Sequence, residues 1–291
     1  GLEYNRDRLK DNMWGYNRHT DQTVNIYSAF LQNEWKNDRW GILIGGRLDK
    51  HNMVDNVIFS PRANLRFNPT QNINLRLSYS SGFRAPQAFD EDMHIENVGG
   101  TVAMIERAKD LKEEKSQSFS VSADMYHRFG AFQTNLLIEG FYTRLTDVFV
   151  LGKPYDRGDG ILVKTRSNGP GAKVMGLTLE GKVAYLSILQ IQAGLTLQRS
   201  RYDEPHKWHD DAPAEKKIFR TPDTYGYFTA TCTPIKPLSI ALSGTYTGRM
   251  LVQRMDITAE NAELGKMPER KAEAIRTPRF FDLGVKLAYD F

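Results

Sequence analysis

The stretch richest in reactive side chains is Glu204-Pro205-His206-Lys207-Trp208-His209-Asp210-Asp211. Its two histidines, two aspartates and tryptophan could ligate a metal or stack on a chelate. Histidines three apart share a face only in a helix. Asp203, Glu204, Asp210 and Asp211 offer oxygen ligands to calcium, although their spacing matches no EF-hand loop. The competing reading is a hydrated loop tip. A second cluster flanks and fills 251–278: Arg249, Arg254, Arg270, Lys271 and Arg276, with Met250, Met255 and Met267. Guanidinium groups suit an anionic ligand such as a ferric siderophore. Glu260, Glu263, Glu269 and Glu273 are interspersed there, which argues for a solvated segment, helical over 259–275. No Gly-x-Ser-x-Gly or His-Glu-x-x-His is present, so an enzyme is not expected.

These groups need a scaffold, and composition narrows it. The chain has 291 residues, 39 Lys plus Arg against 35 Asp plus Glu, and a net charge of +4. That surplus is too small to argue for nucleic acid. A single cysteine, Cys232, excludes an internal disulfide framework. Mean hydropathy is −0.51. Apolar runs such as 41–46 fall far short of the about 20 residues that a membrane helix needs. The chain starts at Gly1 without a basic-then-apolar leader, as expected of a processed or truncated product. A β-barrel remains open, because alternating strands conceal their apolar face from a mean.

Alternation is pervasive. In the last segment Phe281, Leu283, Val285, Leu287, Tyr289 and Phe291 share one face, opposite Asp282, Gly284, Lys286, Ala288 and Asp290. Similar patterns predict eleven strands at 24–36, 39–50, 58–68, 71–81, 117–128, 131–150, 172–185, 188–201, 222–233, 237–250 and 279–291. Within 222–233, Tyr225 and Tyr227 compete with Phe228, Ala230 and Cys232 for the apolar face. Aromatics near strand ends (Trp35, Trp40, Phe67, Tyr79, Phe129, Phe149, Tyr185, Tyr246, Tyr289) fit interfacial girdles. Connections alternate between tight turns and long loops, the long ones at 51–57, 82–116, 151–171, 202–221 and 251–278. That asymmetry predicts an all-β, antiparallel transmembrane barrel with its tight turns in the periplasm. Residues 1–6 read as the end of a twelfth strand, with 7–23 an outer loop. Eleven or twelve strands are roughly half of a larger barrel. The alternative is a stand-alone barrel of about twelve strands, a passive pore or a phospholipase-like enzyme. An enzyme of that kind needs an outward Ser–His pair, and no serine is clearly placed beside the outward His127.

The residues also carry a family resemblance. Leu77-Ser78-Tyr79-Ser80-Ser81-Gly82-Phe83-Arg84-Ala85-Pro86-Gln87-Ala88-Phe89 holds a Phe-Arg-Ala-Pro box at the outer end of a strand. Leu111-Lys112-Glu113-Glu114-Lys115-Ser116 is similar to the "LKPEKS" lead-in of the following strand. Asn168 to Glu180 is similar to an "N…A.V.GLELE" segment, and terminal Phe291 to an outer-membrane assembly signal. Together they resemble TonB-dependent outer-membrane receptors of the Bacteroidetes type. The resemblance implies a 22-stranded barrel, of which residues 1–291 are the C-terminal part. It also implies an N-terminal plug whose TonB box contacts TonB–ExbB–ExbD, and neither plug nor box lies in this chain.

The implied activity is energised uptake of a scarce metal chelate (siderophore, haem or cobalamin) across a Gram-negative outer membrane. Implied partners are the lipid bilayer, lipopolysaccharide, the plug and a surface lipoprotein, with no intrinsic cofactor. In the haem-receptor branch, a histidine between two such boxes ligates haem, and His94 holds that place. Here the second box, Ala108-Lys109-Asp110-Leu111, lacks the branch's Asn-Pro. The adjacent Asp90-Glu91-Asp92 disfavours haem propionates. Arg84 reads either as a ligand contact or as the partner of a wall carboxylate. The expected ligand-binding set is therefore Arg84, His94, His206, Trp208, His209, Arg249 and Arg254.

Overall fold

The computed structural model describes residues 1–88, 103–158, 161–208, 212–257 and 270–290. Its strands are β1 (Leu2–Met13), β2 (Arg18–Lys36), β3 (Trp40–His51), β4 (Ile58–Thr70), β5 (Ile73–Arg84), β6 (Ala103–Arg107), β7 (Glu114–Phe129), β8 (Phe132–Thr146), β9 (Phe149–Leu151) and β10 (Tyr155–Asp156). They continue with β11 (Leu162–Asn168), β12 (Ala172–Tyr185), β13 (Leu189–His206), β14 (Glu215–Lys217), β15 (Thr224–Ile235), β16 (Leu238–Thr247), β17 (Leu251–Ile257), β18 (Arg270–Arg276) and β19 (Phe280–Tyr289).

Twelve long strands form one antiparallel wall in the order β1-β2-β3-β4-β5-β7-β8-β12-β13-β15-β16-β19, with β14 appended to β13. Each wall strand pairs with the wall strand before it in sequence, so tight turns and long loops fall on opposite rims. Among the described residues β1 and β19 do not pair, and the wall stays open.

Register separates the faces. One row runs Leu65, Leu77, Val121, Gly140, Leu177, Leu197 across six strands. Leu77, Val121, Leu177 and Leu197 are all exposed. An exposed apolar band this broad is the surface that hydrocarbon covers. Aromatic pairs bound it. Trp40 stacks on Phe67 at 4.3 Å and Phe132 lies 4.8 Å from Tyr185 beside the tight turns. Tyr79 lies 4.8 Å from Phe119 nearer the long loops. From Phe119 to Phe129 the strand rises about 33 Å, which a tilt near 40° converts to the roughly 25 Å of an outer-membrane apolar band.

The opposite face is polar and cross-linked. Arg47 donates to Asp49 at 2.8 Å, Ser28 at 2.7 Å and Glu3 at 3.0 Å, joining β1, β2 and β3. Tyr227 donates to Glu180 at 2.6 Å, and Gln192 donates to both, at 2.9 and 2.8 Å. Glu180, Gly194 and Tyr227 sit in one register row. A Cβ on Gly194 would lie 2.6 Å from the Tyr227 ring. Only glycine lets that ring lie across β13 and reach β12.

The ambiguity in 222–233 is thereby settled. Phe228, Ala230 and Cys232 align with Gly244, Leu242 and Ile240 on the apolar side, while Tyr225 and Tyr227 face the polar side.

Four expectations need correction. The predicted outer loop at 7–23 is mostly strand: β1 runs to Met13, and a 3-10 turn at Trp14–Tyr16 leads into β2. This part of the hairpin stands beyond the apolar band, so no lipid imposes alternation on it, and its inner face is covered instead by the start of the long loop, where Gln22 is buried. Arg8–Asp21 at 3.1 Å and Arg18–Asp11 at 2.8 Å bridge it. The strand expected over 131–150 ends at Thr146, because Asp147 takes a left-handed φ of 54°. Phe149 consequently belongs to the outer loops, not to a girdle. Finally, the helix expected over 259–275 does not extend through 270–275. Those residues lie in β18, antiparallel to β17, with Val252 opposite Ile275 and Arg254 opposite Glu273. Residues 258–269 lie outside the described residues.

The long-loop rim carries a second sheet. β6 and β11 pair in parallel, and β9 and β10 flank β11. Two loops far apart in sequence are thus joined above the wall.

Candidate ligand-binding site

Three outer loops enclose a cavity of about 470 Å³. The segment after β8 contributes Phe149, Val150, Leu151, Gly152 and Lys164; β13 and the loop beyond it contribute Tyr202, His206, Trp208, Ile218, Phe219 and Arg220. Gln253 of β17 completes the lining. Tyr202 and His206 reach it because they share the polar-side parity of β13 with Gln192 and Thr196. β13 extends well past the apolar band, which on this strand ends at Leu197, so it lifts both rings above the membrane.

The cavity wall is aromatic. The His206 ring lies 5.7 Å from Tyr202, and Trp208 meets Phe219 edge-on at 6.1 Å. Burial holds the His206 imidazole below its ordinary pKa, and the same cause raises the Tyr202 phenol. Both are therefore neutral at pH 7 and offer hydrogen bonds rather than charge. Lys164 and Arg220 supply cations. Arg220 adopts a left-handed φ of 56°, and its amide donates to the Leu251 carbonyl at 2.7 Å. That bond ties the β13–β15 loop to β17.

Of the expected ligand set, His206 and Trp208 converge on this cavity. Arg84 lies next to it: its guanidinium sits 5.4 Å above the Phe149 ring, and Phe149 lines the wall. Arg84 is also in register with Glu114, whose carboxylate accepts the Phe149 amide at 2.9 Å. Arg254 alternates with the lining residue Gln253 and so points to the other side of β17. Arg249 is exposed in the connection after β16. His94 and His209 lie outside the described residues. The sequence reading missed Phe149 as a lining residue, along with Tyr202, Phe219, Lys164 and Arg220. Their signal was aromatic or basic residues at the outer ends of strands, which resembles girdle composition.

Of the four carboxylates offered to calcium, Asp210 and Asp211 lie outside the described residues. Asp203 and Glu204 are consecutive in a strand and face opposite ways. Asp203 is engaged by Arg144 at 2.6 Å and Lys173 at 3.8 Å. The His127 ring lies 4.0 Å from that of Phe129, and His127 is in register with Thr134.

The Phe-Arg-Ala-Pro box has a structural task. Ala85 is buried with Val54 and Ile58, and Phe83 packs against them. Gln87 meets buried His51 at 3.3 Å, the Ala88 amide donates to Gln22 at 2.9 Å, and Arg107 donates to the Pro86 carbonyl at 2.8 Å. The box anchors the start of the long loop to the wall.

An open antiparallel wall with an apolar outer band, bearing an aromatic cavity among its long loops, has the architecture of a transmembrane β-barrel wall. The description "TonB dependent receptor-like, beta-barrel" matches residues 1–291, and the chain belongs to that family. Among curated proteins none matches the sequence. The fold is similar to the siderophore receptor PirA from Acinetobacter baumannii, with a TM-score of 0.68 at 14% identity over 100% of this chain and 45% of that one. A mutant of the ferric enterobactin receptor PfeA from Pseudomonas aeruginosa gives 0.69 at 16% identity over 99% and 43%. The FrpB iron transporter from Neisseria meningitidis gives 0.62 at 14% over 93% and 39%. The chain thus spans less than half of each of these structures.

Proposed function

We propose that residues 1–291 form the C-terminal part of the barrel of an outer-membrane transporter, and that its cavity takes a ferric siderophore. The observation that carries this reading is the composition of that cavity. Four aromatic rings (Phe149, Tyr202, Trp208, Phe219) surround about 470 Å³ with Lys164 and Arg220 at the wall. Aromatic faces stack on flat chelating groups, and the cations match a chelate whose oxygens leave it anionic. The volume lies in the range of small-molecule sites. Siderophore receptors among the structural neighbours support the same class. Haem and cobalamin are the alternative cargoes, with His94 the residue on which haem would depend.

In this reading the edges of β1 and β19 are completed by further strands. A plug outside residues 1–291 closes the lumen and couples through its TonB box to TonB–ExbB–ExbD. The chain is then a transporter wall in a Gram-negative outer membrane and carries no catalytic centre.

The test is equilibrium binding by the complete receptor to a panel of ferric siderophores, haem and cobalamin. One ferric siderophore is expected to bind selectively. Trp208→Ala should weaken it about tenfold, the loss of one aromatic anchor. Selective binding of haem or cobalamin, or a Trp208→Ala receptor that binds as tightly as the parent, would overturn the assignment.

A further inference from the structure

Phe149 reaches the cavity from outside the wall, because β8 has already ended at Thr146. The chain leaves the wall at Asp147 through its left-handed φ, and β9 is only three residues long. So short a strand has too few ladder bonds to fix an aromatic ring by itself. The side chains around it must supply the rest.

Asn168 does so. It is the last residue of β11 and stands in register with Phe149. An asparagine amide has two N–H donors and a carbonyl acceptor, and here all are engaged. Nδ2 donates to the Asp147 carbonyl at 2.8 Å and to the Lys112 carbonyl at 3.0 Å. Oδ1 accepts the Lys112 amide at 2.8 Å. The side chain thus pairs with Lys112 as a strand would, and it holds the left-handed corner at Asp147 at the same time. Lys112 stands two residues before Glu114, whose carboxylate accepts the Phe149 amide at 2.9 Å. The path from Asn168 through Lys112 and Glu114 to Phe149 therefore closes on itself, since Phe149 lies opposite Asn168. The next residue keeps the corner tight: the Gly169 amide donates to the Val148 carbonyl at 2.7 Å, and a Cβ on Gly169 would lie 2.7 Å from the Val150 side chain.

We propose that Asn168 is the positioning residue of the cavity. It does not line the cavity itself; its side-chain amide sets the place of the Phe149 ring that does. The effect on affinity rests on the siderophore reading above, whereas the clamp is independent of which ligand binds.

The experiment compares the complete receptor with Asn168→Ala, Phe149→Ala and the double variant. The first readout is hydrogen exchange without ligand. Asn168→Ala should speed exchange of the Phe149 amide about tenfold and leave the amides of β7, β8 and β12 unchanged, which shows that the wall is intact. The second is affinity for a ferric tris-catecholate, whose rings can stack on Phe149, read by titration calorimetry. Phe149→Ala should weaken binding about tenfold, and Asn168→Ala should reproduce most of that loss. The double variant should bind no more weakly than Phe149→Ala, because the two residues act as one. A residue that merely stabilised the loops would give losses that multiply. Unchanged exchange at Phe149 in Asn168→Ala, or multiplied losses in the double variant, would overturn the proposal. A parent that does not bind the catecholate overturns the siderophore reading alone, and the exchange result then decides the clamp.

Discussion

At the scale of single residues, His206 and Tyr227 show how position on one face sets chemistry. His206 is depressed below its ordinary pKa of 6.5 by burial. Its folded form therefore binds a proton less readily than its unfolded form. The stability it contributes is complete above about 6.5 and is lost as pH falls below that value. A ligand that uses the neutral ring should follow the same course. Siderophore affinity is expected to be flat from pH 8 to 6.5 and to decline below it, and His206→Ala should flatten the decline, as read by titration calorimetry across pH. Tyr227 makes a different prediction. Its bond to the Glu180 carboxylate crosses β13 only because residue 194 has no side chain. Gly194→Ala and Tyr227→Phe should each cost about 1–2 kcal/mol. The double variant should cost little more than either alone, as measured by thermal unfolding in detergent.

The elements divide by what neighbours them. The eleven predicted strands all exist, because hydrocarbon on one side and water on the other impose period two on each. β1 was legible only at Leu2 and Tyr4. Beyond them its outward positions are Arg6, Arg8, Lys10 and Asn12, since no lipid selects there and the strand is held by backbone pairing with β2 and by ion pairs across it. The rim sheet was not legible for a related reason. Its short strands draw their partners from distant sequence, β6 with β11 in parallel, and local alternation carries no trace of that. The cavity was half legible: His206 and Trp208 stood out by type, while Phe149 looked like a girdle residue until the break at Asp147 took it out of the wall. One consequence is testable at this scale. Arg220 holds its loop to β17 through its backbone amide and a left-handed φ, so Arg220→Pro removes the donor and forbids the torsion. That variant should lose cavity binding by more than Arg220→Gly, which deletes the same guanidinium but keeps the amide donor and the left-handed torsion, while the wall unfolds at an unchanged temperature in both.

For the molecule as a whole, the apolar band makes a labelling prediction. Cys232 lies on the apolar side, between Leu189 and Ile240 in register. In lipid vesicles a membrane-partitioning maleimide should modify it and a charged maleimide should not; reaction with the charged reagent would place that face in water. The order of the wall has a further meaning, one of time. Every wall strand pairs with its predecessor, so each step of assembly closes one hairpin and the chain can add strands serially at low entropic cost. The contact between β6 and β11 is of another kind. It must wait until β7 and β8 are in place beneath it, because they connect the two loops. The rim sheet, and with it the cavity wall that includes Lys164, therefore forms only after the β7–β8 hairpin beneath it. In a refolding experiment followed by hydrogen exchange, amides of β7 and β8 should gain protection before those of β6 and β11, so that a paired stretch of wall precedes the rim sheet that caps it.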